Sequence, residues 1–219
     1  MTSASLYVIQ ETNAMQKKIV VLLLASLLVM PLPSLASEAQ ERIKTTIDSF
    51  ITVLKDPAYS DASKESEQVQ KLKDVVGGVF DYGELTRRAV GPAWKDYSPQ
   101  EQQQLVDAFM KLLETTYVGK IRAYNNQVVE YVGERNDEQG NVEVQTLIID
   151  KGRRIPVNYR MKKKQDWIVY DIIVEGVSLV KNYRTQFQEI IAKDGAKALI
   201  SRIKDQAAKV SSSSAGGAS

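Results

Sequence analysis

The spacing of apolar positions changes character twice along the chain. Ile43, Ile47, Phe50, Ile51 and Leu54 recur at helical intervals and predict an amphipathic helix of about five turns, ended by Asp56-Pro57. Residues 59–68 are polar and read as a segment that begins as loop. Val69, Leu72, Val75, Val76 and Val79 mark a second helix that closes at Gly77-Gly78 or just beyond. Asp81 with Glu84 three residues on resembles a capping box for a short helix, which Gly91 and Pro92 end. Ser98-Pro99-Gln100-Glu101 is the clearest local signal. Ser98 suits the cap, Pro99 the first helical position, and Glu101 the reach back to the cap. The helix it starts carries Leu105, Phe109, Leu112, Leu113, Tyr117 and Ile121 on one face and is expected to run to about Tyr124.

Beyond that point the period becomes 2. Residues 128–132 form a first expected strand. Val142, Val144, Thr146 and Ile148 alternate with Glu143, Gln145 and Leu147 in a second. Ile155, Val157, Tyr159 and Met161 alternate with Pro156, Asn158, Arg160 and Lys162 in a third, and residues 167–174 form a fourth that is apolar on both faces. Residues 136–140, 150–152 and 163–166 are turn segments. Gly176 breaks the last strand, and Ser178 is placed to cap a return helix bearing Leu179, Tyr183, Phe187, Ile190 and Ile191. A short final helix holds Ala198, Leu199, Ile200 and Ile203, and the Ser/Gly/Ala run at 211–219 is expected to be disordered. Helices, a meander, then helices predict an α+β domain over residues 37–210. Its antiparallel sheet has four to five strands, with helices packed on one face. There is no internal repeat.

Residues 15–37 read MQKKIVVLLLASLLVMPLPSLAS. A short basic region, a nearly continuous apolar run from Ile19 to Met30, and small residues at Ser34 and Ala36 have the form of a secretory signal peptide over 15–36. The apolar run is short beside the roughly 20 residues of a membrane span. Cleavage is expected after Ala36 and translation to start at Met15, which places the mature protein in the bacterial periplasm. Without cysteine there is no lipobox at the new N-terminus.

The 219 residues include no His and no Cys. Disulfides, thiolate nucleophiles, His-based triads and His- or Cys-ligated metal sites are therefore excluded. No cofactor motif is present: the chain has no P-loop, no G-x-G-x-x-G and no G-x-S-x-G. With 29 Lys+Arg against 27 Asp+Glu, the net charge of +2 gives no pointer to nucleic acid. Removing residues 1–36 leaves 27 basic and 26 acidic residues. Asp171 and Glu175, beside Tyr170, are the one carboxylate pair that suggests acid–base work in a His-free enzyme. Their plainer role is to satisfy backbone amides or an arginine near a strand end. Ser178 lacks any His to activate it and reads as a cap. Lys151, Arg153 and Arg154 flank one turn and Lys162, Lys163 and Lys164 another. Solvated hairpin tips account for both, and an anionic membrane or acidic partner is the functional alternative.

Tyr117, Ile121, Tyr124, Thr146, Ile148, Val157, Tyr159, Met161, Tyr170, Ile172 and Val174 have the spacing of a plain core, or of the lining of a cavity between sheet and helices. Periodicity does not separate the two. Three segments together resemble the MlaC family, also called toluene-tolerance proteins. They are Val79-Phe80-Asp81 with Val90-Gly91-Pro92-Ala93-Trp94; Ser98-Pro99 through Phe109, Leu112, Leu113 and Tyr117; and YDIIVEGVSLVKNYRTQF from Tyr170 to Phe187. The resemblance spans roughly residues 39–208. It implies a sheet and helices enclosing an apolar cavity for acyl chains, with no catalysis. It implies a periplasmic phospholipid carrier that shuttles between an outer-membrane lipoprotein complex and an inner-membrane ABC transporter with an MCE-domain subunit. A hopanoid-associated branch of the family leaves hopanoid or other isoprenoid lipids as an alternative cargo. The cavity residues so implied also include Phe109, Leu113, Val177, Leu179 and Phe187.

Overall fold

The computed structural model of the protein describes residues 37–122 and 126–216, with residues 118–122 and 213–216 described by their backbone alone. The signal-peptide reading at 15–36, Tyr124, and the side chain of Ile121 lie outside the described residues. Helix α1 (Glu38–Lys55) starts at Ser37, whose Oγ accepts the amides of Ala39 and Gln40 at 3.1 and 3.3 Å. Two single 3-10 turns then lead into α2 (Glu65–Gly77), so the polar stretch 59–68 is part loop and part helix. Short α3 (Tyr82–Val90) and long α4 (Pro99–Arg122) follow. The sheet comprises β1 (Val128–Asn136), β2 (Val142–Asp150), β3 (Arg153–Lys163), β4 (Trp167–Val174) and the two-residue β5 (Val177–Ser178). Helices α5 (Leu179–Asp194) and α6 (Leu199–Gly216) complete the chain.

The capping box before α4 is complete. Glu101 accepts the Ser98 amide at 2.8 Å, and Ser98 Oγ accepts the Glu101 amide at 3.3 Å. At α3 only half of one forms: Asp81 Oδ1 accepts the Glu84 amide at 2.9 Å. The Glu84 carboxylate turns instead to Arg87, Arg88 and Lys162, at 2.8, 2.7 and 3.0 Å. Lys162 belongs to β3, so this cluster ties α3 to the sheet. The Arg87 hydrogen bond, with those of Lys162 and Arg88, outweighs burial and holds Glu84 well below the usual carboxylate range. Lys163 pairs with Glu38 at 2.6 Å and Lys164 with Asp81. The lysines of this hairpin thus stitch it to α1 and α3.

The strands lie in the order β1-β2-β3-β4-β5, each antiparallel to the next. Two tight turns set this meander. Lys151-Gly152 and Glu175-Gly176 both sit at positive φ (48° and 83°; 50° and 82°), the geometry that joins antiparallel strands by two residues. Gly176 therefore ends β4 by folding the chain back, and Val174↔Val177 and Ile173↔Ser178 pair across the turn. A register shift opposite Arg160/Met161 makes Tyr170 the extra residue of β4.

Apolar packing divides into two clusters. In the helical one, Leu85, Ala89 and Val90 of α3 and Leu105, Phe109 and Leu112 of α4 meet Val180, Tyr183 and Phe187 of α5 and Leu199 and Ile203 of α6. The Phe109 ring stands edge-on to Tyr183 and Phe187, with centroids 4.8 and 5.2 Å away. In the second, Ala39 and Ile43 of α1 lie with Val79 on Val142, Val144, Met161 and Val169 of the sheet. Phe80 touches both clusters. The final helix is longer than expected: it continues to Gly216, through the segment 211–216 that the composition marks as disordered. Leu199, Ile203 and Ala207 anchor it in the helical core, and a helix already nucleated extends at little cost.

Replacing Glu84 by Gln is expected to lower stability at pH 7 by about 2 kcal/mol in urea titrations, the scale of charged hydrogen bonds lost from a half-buried cluster. A carboxyl with a depressed folded pKa stabilises above its unfolded pKa and loses that contribution as pH falls through the folded value. The gap between wild type and variant should be full above about pH 5 and shrink progressively below about pH 4. A gap that stays constant down to acid pH would remove Glu84 from this role.

Candidate functional site

One face of the sheet, here called inner, is largely apolar; Glu134 of β1, opposite Val144, is an exception and accepts Ser37 Oγ and the Gln40 amide at the start of α1. The register aligns Val129 with Ile148 and Tyr131 with Thr146 across β1 and β2. It aligns Ile148 with Ile155, Thr146 with Val157 and Val144 with Tyr159 across β2 and β3, and Val157 with Val174 and Tyr159 with Ile172 across β3 and β4. Side chains opposite one another share a face, so these form one continuous surface. At one end α1 covers it, and Val144 and Met161 have no exposed surface. Toward the other end cover thins. Val129, Ile148 and Ile155 are half-buried, and Val174 keeps 44% of its surface. The stripe of α1 that begins with Ile43 and Ile47 continues by spacing to Phe50, Ile51 and Leu54, all likewise half-buried. Aliphatic side chains here are neither packed away nor displayed to bulk water.

Over the stretch of this face that holds Thr146, Tyr131 and Tyr159 the polar atoms are neutral. Thr146 Oγ1 donates to the Val157 carbonyl at 2.5 Å. Burial pushes the Tyr159 hydroxyl up to about 12, against a smaller opposing pull from Thr146. Burial likewise raises Tyr131, with Asp48, Tyr159 and Glu41 adding to it. The Tyr131 hydroxyl is buried without a hydrogen-bond partner among the described residues.

The other face carries Glu143, Gln145, Asn158, Arg160 and Asp171, with Leu147, Ile149 and Ile173 among them. A concavity of about 730 Å³ lies over it, between the hairpin at 137–141, the strand residues Glu143, Arg160 and Asp171, and the start of α5. Asp171 is nearly fully buried and serves the fold. Its carboxylate accepts Ser178 Oγ at 2.6 Å, the Val180 amide at 3.0 Å and Arg160 Nη1 at 3.4 Å. Ser178 Oγ in turn accepts the Lys181 amide at 3.0 Å, the cap expected of it. Glu175 is exposed in the β4–β5 turn.

A model of the MlaC protein family matches residues 44–205. This chain belongs to the MlaC family. A solved phospholipid-binding protein from Ralstonia solanacearum, in complex with a phospholipid, superimposes with a TM-score of 0.72 at 29% identity, covering 80% of this chain and 99% of that one. The intermembrane phospholipid transport system binding protein MlaC of Haemophilus influenzae is 23% identical over 128 residues. That alignment takes in 56% of this chain and only 60% of the relative's length. Toluene tolerance protein ttg2D of Pseudomonas putida is 22% identical over 177 residues, 79% of this chain and 82% of that protein.

The open α+β sheet of this MlaC-family chain sorts the residues singled out in its sequence. Thr146, Ile148, Val157, Tyr159, Met161, Ile172 and Val174 do share the inner face. Val177 pairs with Val174 at the exposed hairpin tip. Phe109 and Phe187 are wholly buried in the helical core, with Leu113 and Leu179 packed against it; Tyr117 is half-buried farther along α4. Tyr170 faces away from the inner surface: the bulge carries it to the polar concavity, where Arg88 lies 4.1 Å over its ring. Sequence reasoning did not assign Val129, Tyr131, Ile155 or the outer turns of α1 to the site. The alternation in β1 and the stripe on α1 were visible, but not that they meet.

Asp171→Ala should cost about 3 kcal/mol in chemical denaturation, because it leaves the Val180 amide buried and unpaired and frees Arg160. An unchanged midpoint would show that water replaces the carboxylate.

Proposed function

We propose that this chain is a periplasmic, non-catalytic phospholipid carrier that holds acyl chains on the inner face of its sheet. The observation that carries this reading is the incompletely covered aliphatic surface of Val129, Ile148, Ile155, Ile172 and Val174, continued across from Ile47, Phe50 and Ile51. A protein that only needed a core would close over these side chains. Membership of the MlaC family and the likeness to a phospholipid-binding protein solved with phospholipid support the same cargo. The relatives' names support a place in intermembrane phospholipid transport. On this reading the chain exchanges lipid between an outer-membrane lipoprotein complex and an inner-membrane ABC transporter with an MCE-domain subunit.

The energetics fit. Each CH₂ removed from water is worth about 0.8 kcal/mol, so an acyl chain of about 16 carbons costs on the order of 10 kcal/mol to hold in water. A carrier offsets this with apolar contact and must keep charge away from it. The tyrosine hydroxyls of the inner face stay neutral at any periplasmic pH. Asp171, the strongest acid–base candidate, is occupied by three intrachain partners.

Protein purified without detergent and examined by native mass spectrometry should carry phospholipid. Ile155→Glu, which sets a charge on the half-covered part of the face, should reduce bound lipid at least about tenfold with circular dichroism unchanged. An empty wild-type protein that takes up no lipid from vesicles would refute the carrier reading, and extraction of hopanoid in place of phospholipid would change its cargo.

A further inference from the structure

We propose that the polar concavity on the outer face of the sheet is a docking site for an acidic segment of another protein. The site is distinct from the apolar inner face. Arg160 and Asp171 point to one side of β3 and β4, and Tyr159 and Ile172 to the other. The sheet itself therefore separates the two, and the head group of a lipid whose chains lie on the inner face does not reach this pocket.

The lining of the pocket carries five cations against three carboxylates, and each carboxylate is hydrogen-bonded within the chain. Asp171 holds Ser178, Val180 and Arg160. Glu143 accepts Asn158 at 3.0 Å and Arg160 at 3.1 Å. Asp137 accepts the amides of Gln139 and Asn141, both at 2.9 Å, and the Asn141 side chain at 2.7 Å. The cations are not all committed. Arg88 pairs with Glu84 and Arg160 with Glu143 and Asp171. Arg135, Lys181 and Arg184 have no carboxylate partner among the described residues, although all three line the same concavity from different elements. Arg184 is held by its Nε, which donates to the Arg88 carbonyl at 2.7 Å. Two guanidinium forks and an ammonium around one hollow match paired carboxylates.

The shape selects among anions. The concavity, about 730 Å³ and open to solvent on one side, is far larger than one phosphate requires. A bilayer surface is flat on this scale and does not enter a hollow walled by the 137–141 hairpin and α5. A peptide loop bearing Asp or Glu fits both charge and depth.

The test uses the full mature chain and a fluorescein-labelled oligopeptide of alternating Asp and Glu, read by anisotropy at low salt. Arg135→Glu with Lys181→Glu changes two exposed residues of the pocket; Lys44→Glu with Lys71→Glu makes the same change in net charge elsewhere on the surface. Saturable binding to wild type is expected, weakened at least about tenfold by the pocket pair and less than about twofold by the control pair. Equal loss in both pairs would reduce the effect to net charge and overturn the proposal. So would the absence of saturable binding. Displacement of the peptide by millimolar inorganic phosphate would assign the site to a small anion instead. Capture by phosphatidylglycerol vesicles, lost in the pocket pair without peptide binding, would assign it to membrane. Lipid content measured on the same preparations keeps this result separate from the carrier reading.

Discussion

Asp171 sits where the sheet hands the chain to the helical layer, and its carboxylate is bound from three directions. Ser178 and the Val180 amide fix the start of α5 to it, and Arg160 fixes the neighbouring strand. Without Asp171 the buried Val180 amide would be left unpaired, at the cost of its desolvation. The two-residue turn at Glu175-Gly176 makes the geometry possible by reversing the chain within reach of the same carboxylate. From this junction α5 leads away to the helical core, while β4 keeps its place in the sheet. The separation of the two apolar clusters begins here.

That separation has a functional consequence. Phe109, Tyr183, Phe187, Leu199 and Ile203 form a closed core made by helices. Stability is supplied there and under the first turns of α1, where Val144 and Met161 are fully covered. The far part of the inner sheet face is then free to remain half-covered, as the proposed carrier role needs. A single core shared by all elements would have had to fill that surface with side chains to reach ordinary packing density. Salt bridges from Lys162, Lys163 and Lys164 to Glu84, Glu38 and Asp81 hold the sheet to its helices from the outside, without occupying the interior.

Much of the local structure was legible in the residues. The capping box at Ser98 and the cap at Ser178 are short-range hydrogen-bond chemistry, and both form as expected. Alternation placed Thr146, Ile148, Val157 and Tyr159 on a common face because a strand has a strict period of 2. The same rule misplaced Tyr170, since one extra residue in β4 moves every position on one side of the bulge to the other face. Nothing in the local pattern of 167–174 announces that bulge, because the strand is apolar on both faces. Asp81 and Glu84 looked like a reciprocal box, but the Asp81 amide donates to the Val169 carbonyl at 3.2 Å, and Arg87, Arg88 and Lys162 take up the Glu84 carboxylate.

The periods of 3.6 and 2, the caps and the turn glycines are determined by the sequence alone, since each depends on residues within a few positions of one another. The family is legible there too, through the motifs at Val79–Trp94 and Tyr170–Phe187. Tertiary structure alone decided which apolar residues are core and which stay only partly covered. Phe109 and Ile148 look alike as hydrophobic positions in an amphipathic pattern, yet one is enclosed by three helices and the other is left half-covered. Burial is set by what the rest of the chain brings to a face, and that information is not local. The same holds for the outer pocket, where cations from α3, β1, β3 and α5 converge although no stretch of the sequence holds them together.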